Sequence, residues 1–270
     1  MSTLETENLF CAYNGETVLY DINLRIEPGR FICLLGPNGS GKTTLMRAFC
    51  RIIKPVKGVV KLDRRSIQEY HAREVAQKIA LVSQSNRLAW PFTVHQIVNM
   101  GRFPHRGWVS PLSHEDHSKV EEAIRVTGLW EHRNRIIHTL SGGEAQRAMI
   151  ARALAQSPRI LLLDEPVAHL DLKYKVAVLD LVKKLAVEGL GVVVSLHDLN
   201  LAAMYADTMV LLSRGRVYAV GGPSTILTKK NLEAVYETEV VIKENPENGK
   251  PLISPVSRWK VSPLKLNMPQ

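Results

Sequence analysis

The sequence has no apolar run long enough to cross a bilayer. Its longest, such as residues 160–163 and 191–196, fall far short of the roughly 20 residues that a spanning helix needs. No basic leader precedes an apolar stretch at the start, where Glu5 and Glu7 stand instead, so no secretion signal is expected and the chain is expected to stay inside the cell. Cysteine is scarce. Cys11, Cys33 and Cys50 form no CxxC pair and are odd in number, which suits buried thiols in a reducing compartment rather than a disulfide frame. Internal repeats and low-complexity tracts are absent. So is any block of basic residues interleaved with aromatics, and nucleic acid is therefore not an expected partner despite a formal net charge of +9. That charge also fits an anionic membrane face or an anionic ligand.

Apolar residues make up 45% of the 270 positions, enough for a packed core. Four short runs, residues 31–35, 79–82, 160–163 and 192–195, are free of strongly polar side chains and read as strands buried on both faces of a mainly parallel sheet. Leu19, Ile22, Leu24 and Ile26 lead into a Glu27-Pro28-Gly29 turn with polar residues between the last three, the pattern of half-exposed strands in a small antiparallel layer. Residues 93–137 carry no strand signal, and Ser113-x-x-Asp116 opens a helical pattern that stops at Gly128. The fold class expected is α/β, with a helical subdomain of about residues 93–157 inserted into a domain spanning residues 1–244. Residues 245–270, rich in Pro, Asn and Lys, are expected to form an irregular tail.

Three segments carry chemistry. Gly36-Pro37-Asn38-Gly39-Ser40-Gly41-Lys42-Thr43 follows one buried run and precedes a helical run, residues 44–52, which is the context of a phosphate-binding P-loop. Its glycines let backbone N–H groups wrap phosphates, Lys42 reaches the β and γ phosphates, and the Thr43 hydroxyl is placed for Mg²⁺. Asp164 and Glu165 end another buried run, where adjacent carboxylates repel unless a cation or polar ligand sits with them. With a P-loop in the same chain, Mg²⁺ held by Asp164 and a water polarised by Glu165 are the expected occupants. Leu140-Ser141-Gly142-Gly143-Glu144 precedes a helical stretch, residues 145–156, and forms a second anion reader. His114 and His117 lack HExxH spacing and sit at a polar helix start, so no transition-metal site is expected.

In this order, the P-loop, the LSGGE run, the Asp164-Glu165 pair and His197 after residues 192–195 resemble the motifs of ABC ATPases, over roughly residues 4–241. The resemblance implies a P-loop NTPase core, ATP and Mg²⁺ as ligands, and nucleotide contacts from residues 36–43 and Thr44, with Tyr13 stacking on adenine. It implies Glu165, His197 and Gln84 as the catalytic set and Thr43, Gln84 and Asp164 around the metal. It also implies Leu140, Ser141, Gly142, Gly143 and Glu144 on the ATP of a second copy, and Asp171 in the loop that crosses between subunits. Core packing for Tyr13 and a helix cap for Asp171 remain alternatives. Val167 departs from the small hydroxyl residue common after the Glu-Pro pair.

Soluble ABC ATPases of repair and cohesion resemble one another in a long coiled coil between P-loop and signature, whereas residues 43–140 show no sustained heptads. Translation types carry two cassettes; this chain has one. Phe92-Thr93-Val94 and Gly101-Arg102-Phe103-Pro104-His105 resemble the importer ATPases for vitamin B12, haem and ferric siderophores, though 102–105 also reads as a plain turn at Pro104 and a molybdate importer would look alike. That resemblance implies a homodimer on the cytoplasmic face of the membrane. Its partners would be integral permease subunits and, indirectly, a substrate-binding protein.

Overall fold

The computed structural model describes residues 3–84, 90–106 and 111–257. Strands β1 (Leu4–Tyr13) and β2 (Glu16–Ile26) pair antiparallel through an Asn14-Gly15 turn with φ of 49° and 86°, the geometry of a tight hairpin turn. After β3 (Phe31–Leu35) and α1 (Lys42–Phe49) the chain returns through β4 (Lys57–Leu62) and β5 (Arg65–Ser66), completing a four-stranded layer in the order β2-β1-β4-β5. Helix α2 (Ala72–Lys78) leads into β6 (Ile79–Val82).

Between β6 and the next strand, the described residues form helices and 3₁₀ turns, with α3 (Val94–Asn99), α4 (His114–Val126) and α5 (Gly142–Ala155) the α-helices, and one isolated antiparallel bridge joins Thr93 to Ile136. The chain then alternates through β7 (Ile160–Asp164), α6 (Leu172–Val187), β8 (Gly191–Ser195), α7 (Leu199–Tyr205), β9 (Thr208–Ser213) and β10 (Arg216–Gly221). It closes with α8 (Pro223–Ile226), α9 (Lys229–Tyr236), β11 (Val240–Glu244) and β12 (Pro251–Pro255).

The second sheet runs β10-β9-β3-β8-β7-β6, parallel throughout except for the β10 edge. Its central strands β3, β7 and β8 are buried at every residue, because both faces are covered. The alternation of side chains along a strand splits the core in two. Phe31, Cys33, Leu35, Leu161, Leu163, Val192 and Val194 pack with the helices, while Ile32, Leu34, Leu162 and Val193 pack with α1 and the antiparallel layer. All four apolar runs read from sequence are strands of this sheet, and β9 and β10 join them.

Several expectations need correction. The helix of the LSGGE segment begins at Gly142 rather than residue 145, because Ser141 and Glu144 form a reciprocal capping box that draws both glycines into the first turn. The helix after the P-loop spans Lys42–Phe49, ending where Arg51 turns left-handed at φ 59°. The tail is not irregular from residue 245. Pro251–Pro255 pairs with Val240–Glu244 as a two-stranded sheet, and its Ile253 is buried in the helix-side core. Residues 258–270 of the expected tail lie outside the described residues.

The segment 101–105 also turns inward. Arg102 is only 4% exposed; it donates to Asp116 at 2.7 Å, to the Ala155 carbonyl at 2.7 Å and to Ser157 at 3.3 Å. Pro104 lies within a 3₁₀ turn whose carbonyl accepts from Arg73 and Gln77, and Phe103 alone stands well out at 62% exposure. Burial raises the Asp116 pKa, but hydrogen bonds from the Ser113 side chain and backbone and from Arg102 outweigh that and hold it far below the usual carboxylate range. A depressed carboxyl contributes stability that is present above its unfolded value of about 3.9 and lost as pH falls below it. Asp116→Ala, which strands a buried guanidinium, is expected to cost about 3–5 kcal/mol in urea unfolding at pH 7. It should also flatten the loss of stability in acid relative to the parent.

Candidate active site

The chemistry-bearing residues gather at the C-terminal ends of the parallel strands, the edge where open α/β sheets hold ligands. The P-loop leaves β3 at Gly36, whose φ is 142° and whose missing Cβ would stand 2.3 Å from the Leu212 carbonyl; only glycine fits that approach. The Gly36 N–H, past the last ladder bond of β3, donates to the Tyr236 hydroxyl at 3.0 Å. Lys42 is 6% exposed and folds back on its own loop, donating to the carbonyls of Gly36 (2.8 Å) and Pro37 (3.1 Å). Burial lowers its pKa, opposed by the carboxylates of Glu165 and Asp164. Ser40 carries a buried hydroxyl oxygen with no hydrogen-bond partner, and Gly39 opens onto free space.

Asp164 and Glu165 end β7 under close control. Thr43 donates its hydroxyl to one Asp164 oxygen at 2.7 Å, and the fully buried Ser195 donates to the other at 2.7 Å. The Ser195 oxygen also accepts the Glu165 N–H at 2.8 Å. That bond matters because Glu165 is left-handed, with φ 51°, a conformation that costs a side-chain-bearing residue about 1–2 kcal/mol. The result turns the Glu165 carboxylate into a polar cluster, where Gln84 donates to one oxygen at 2.6 Å and His197 is 2.5 Å from the other. Gln84, just after β6, and His197, just after β8, thus meet at one carboxylate.

Other expected residues fall nearby or apart. Tyr13 is 38% exposed, with its hydroxyl 3.4 Å from an Arg47 nitrogen, and does not pack in the core. Asp171 occupies the cap position of α6 without a side-chain cap bond. Pro37, Asn38, Gly41 and Thr44 sit within the P-loop and the first turn of α1. Leu140, Ser141, Gly142, Gly143 and Glu144 form a distinct site at the start of α5, where Ser141 bonds Glu144 in both directions. A Cβ on Gly143 would meet Tyr174 at 2.4 Å and one on Gly142 would meet Leu170 at 3.2 Å, so the loop after Glu165 and the start of α6 pack directly against this second site. Val167 is buried in the helix-side core. A separate cleft of about 640 Å³, lined among others by Pro28, Lys119, Arg159 and Leu190, opens where strands begin and holds none of these groups.

Comparison with known proteins gives the family of the chain. The family described as ABC transporter matches residues 19–168. The chain belongs to this family of ABC transporter ATPases. The hemin import ATP-binding protein of Pseudomonas aeruginosa is 40% identical, over 93% of this chain and 98% of its own. The petrobactin import ATP-binding protein of Bacillus anthracis is 39% identical over 93% of each chain, and the ferric enterobactin transport ATP-binding protein of Escherichia coli 37% identical over 96% of each. Among solved structures, a chain of an inward-facing transporter assigned to the metal-chelate type superposes with a TM-score of 0.83 at 28% identity, covering 95% of this chain and 98% of that one.

Sequence motifs point to Thr43, Gln84, Asp164, Glu165 and His197 in this ABC ATPase, but not to Ser195 or Tyr236. Both act on the loops through single hydroxyls, and no spacing rule marks them. Ser195→Ala removes the acceptor of the Glu165 N–H and a donor to Asp164. We expect a loss of about 1–3 kcal/mol in urea unfolding, larger than for Thr43→Ala, whose hydroxyl lies at the open edge of the cluster.

Proposed function

We propose that this ABC ATPase powers a metal-chelate importer, for a ferric siderophore, a corrinoid such as vitamin B12, or haem. It would work as a homodimer at the cytoplasmic face of the membrane beneath integral permease subunits, with a substrate-binding protein engaged only indirectly. The names of its relatives, which include hemin, petrobactin and ferric enterobactin import subunits, support the cargo class. The dimeric structure of a bacterial ABC transporter cassette, 32% identical with a TM-score of 0.70 over 81% of this chain and 98% of its own, supports the pairing. Among the described residues no helix is long and apolar enough to cross a membrane, as suits a subunit that works through a separate permease.

The observation that carries the reading is the meeting of Gln84 and His197 on Glu165, beside Asp164 and Thr43. In the proposed reaction Glu165 takes a proton from water as the water oxygen bonds to the γ-phosphorus. The bond from that phosphorus to the bridging oxygen breaks, and its electron pair leaves with ADP. Lys42 neutralises phosphate charge, and Asn38, Gly39 and Gly41 offer backbone N–H donors; the unpartnered Ser40 hydroxyl and the open face at Gly39 suit a ligand there. Tyr13 offers an exposed ring for adenine. The oxygen donors of Thr43, Asp164 and Gln84 match the hard ligands of Mg²⁺, which when bound would offset the charge on the phosphates. Ser141 to Gly143 would complete the site on the partner's ATP, with Leu140 and Glu144 shaping that helix start and Asp171 in the crossing loop.

Two measurements test this. Lys42→Ala should reduce both ATP binding and turnover sharply. Glu165→Gln keeps the size of the side chain but removes its basicity, and should lower single-turnover hydrolysis about 10²- to 10⁴-fold while ATP still binds. Two chains of that variant should then close on Mg-ATP and elute as a stable dimer. Near-parent turnover without a dimer would remove Glu165 from the role of base.

A further inference from the structure

The segment after α8 makes two hydrogen-bonded contacts with the site that no motif announces. At one end, Tyr236 closes α9 and its hydroxyl accepts the Gly36 N–H at 3.0 Å. Burial raises that hydroxyl's pKa to about 12, so it stays protonated and neutral beside the loop that is to receive phosphate. At the other end, the Asn200 side chain grips the backbone of Ile253 in β12 at two points, accepting its N–H at 2.8 Å and donating to its carbonyl at 3.2 Å. Asn200 lies in the first turn of α7, where its own N–H donates to the capping carboxylate of Asp198 at 3.0 Å, one residue after His197.

The two ends are joined. Glu233 of α9 accepts the Val240 N–H of β11 at 3.3 Å, and β11 pairs with β12 along five residues, Val240 to Glu244. Leu232, Val235, Val240 and Ile253 are buried in the helix-side core, so the unit is anchored rather than draped over the surface. All of it lies beyond the family match, which ends at residue 168.

We propose that α9, β11 and β12 form a clip that fixes the P-loop entrance through Tyr236 and the helix behind His197 through Asn200. Both are then positioning residues of the ATPase site. The inference rests on the ATP site proposed above. Its physical content is that two loops which must act on one phosphate, from opposite sides, are referenced to one small rigid unit. Tyr236 sets where the first P-loop N–H lies and so governs nucleotide binding. Asn200 sets the start of α7 and hence the reach of His197 towards Glu165, which governs turnover.

The two contacts predict opposite kinetic signatures in the purified full chain. Tyr236→Phe keeps the ring but removes the acceptor, and should raise the KM for ATP about 5-fold with kcat within about twofold of the parent, the effect of one lost hydrogen bond. Asn200→Ala should lower kcat about 5-fold and leave KM nearly unchanged. Thermal melting without nucleotide separates positioning from simple support. Parent KM and kcat in both variants, or a lowered melting temperature with both parameters falling together in each, overturns the clip. Lys42→Ala in the same assay keeps the two readings apart: if it retains parent activity, the ATP site itself is misplaced, whereas its loss beside unaltered Tyr236 and Asn200 variants defeats the clip alone.

Discussion

Two successive carboxylates, Asp164 and Glu165, leave the end of a strand that is buried at every residue, and the surrounding structure is arranged to keep both satisfied. Isolated charges there would neutralise or move. Instead Thr43 and Ser195 bond Asp164, while Gln84 and His197 meet Glu165. The left-handed backbone at Glu165, held by the Ser195 hydroxyl, parts the two side chains so that one faces the P-loop and the other the loops that carry Gln84 and His197. Geometry at one peptide therefore gives two adjacent carboxylates different sets of partners.

That arrangement also ties the site to the rest of the molecule. Gln84 follows β6 at the start of the helical segment, and Leu170 and Tyr174, just past Glu165, pack against the glycines that open α5. The helical unit thus adjoins both Gln84 on the cluster and the segment that follows Glu165. Its internal stiffness comes in part from the buried Arg102–Asp116 pair, which clamps the 3₁₀ turn after α3 to the start of α4 and to the end of α5. Buried pairs of this kind add little net stability over an apolar alternative but are costly to break, so they serve to hold one arrangement. The C-terminal clip makes the corresponding attachment on the opposite flank, where α9 and β12 meet the P-loop and α7.

The parts of the fold legible in the sequence were those with local periodicity or local chemistry. Residues 31–35 and 160–163 read as buried strands because unbroken apolar runs of that length have few other homes, and Ser113 and Asp116 announced a helix start because a capping box is satisfied within four residues. The P-loop glycines were legible because their spacing lies within eight consecutive residues, although what excludes a side chain at Gly36 is the distant Leu212 carbonyl and at Gly41 the Leu19 side chain. The early strand β1 was harder to read, since its pairing with β2 and β4 shifts register at several points, which blurs the alternation. The final strand β12 was hidden by the prolines and asparagines around it, and its place depends on pairing with Val240–Glu244 and on the side chain of Asn200.

What the sequence by itself determined was the family of the chain, its α/β order and the identity of the groups at the ends of the strands, because each follows from residues adjacent along the chain. Only the tertiary structure decided that Arg102 faces inward to Asp116, that Ser195 holds Glu165, that Tyr236 reaches the P-loop and that Asn200 of α7 reaches Ile253. These contacts join positions 14 to 200 residues apart. A hydroxyl, a guanidinium or an amide has no fixed partner in sequence; burial assigns it one, because an unpaired polar group inside the fold costs more than the hydrogen bond it finds there.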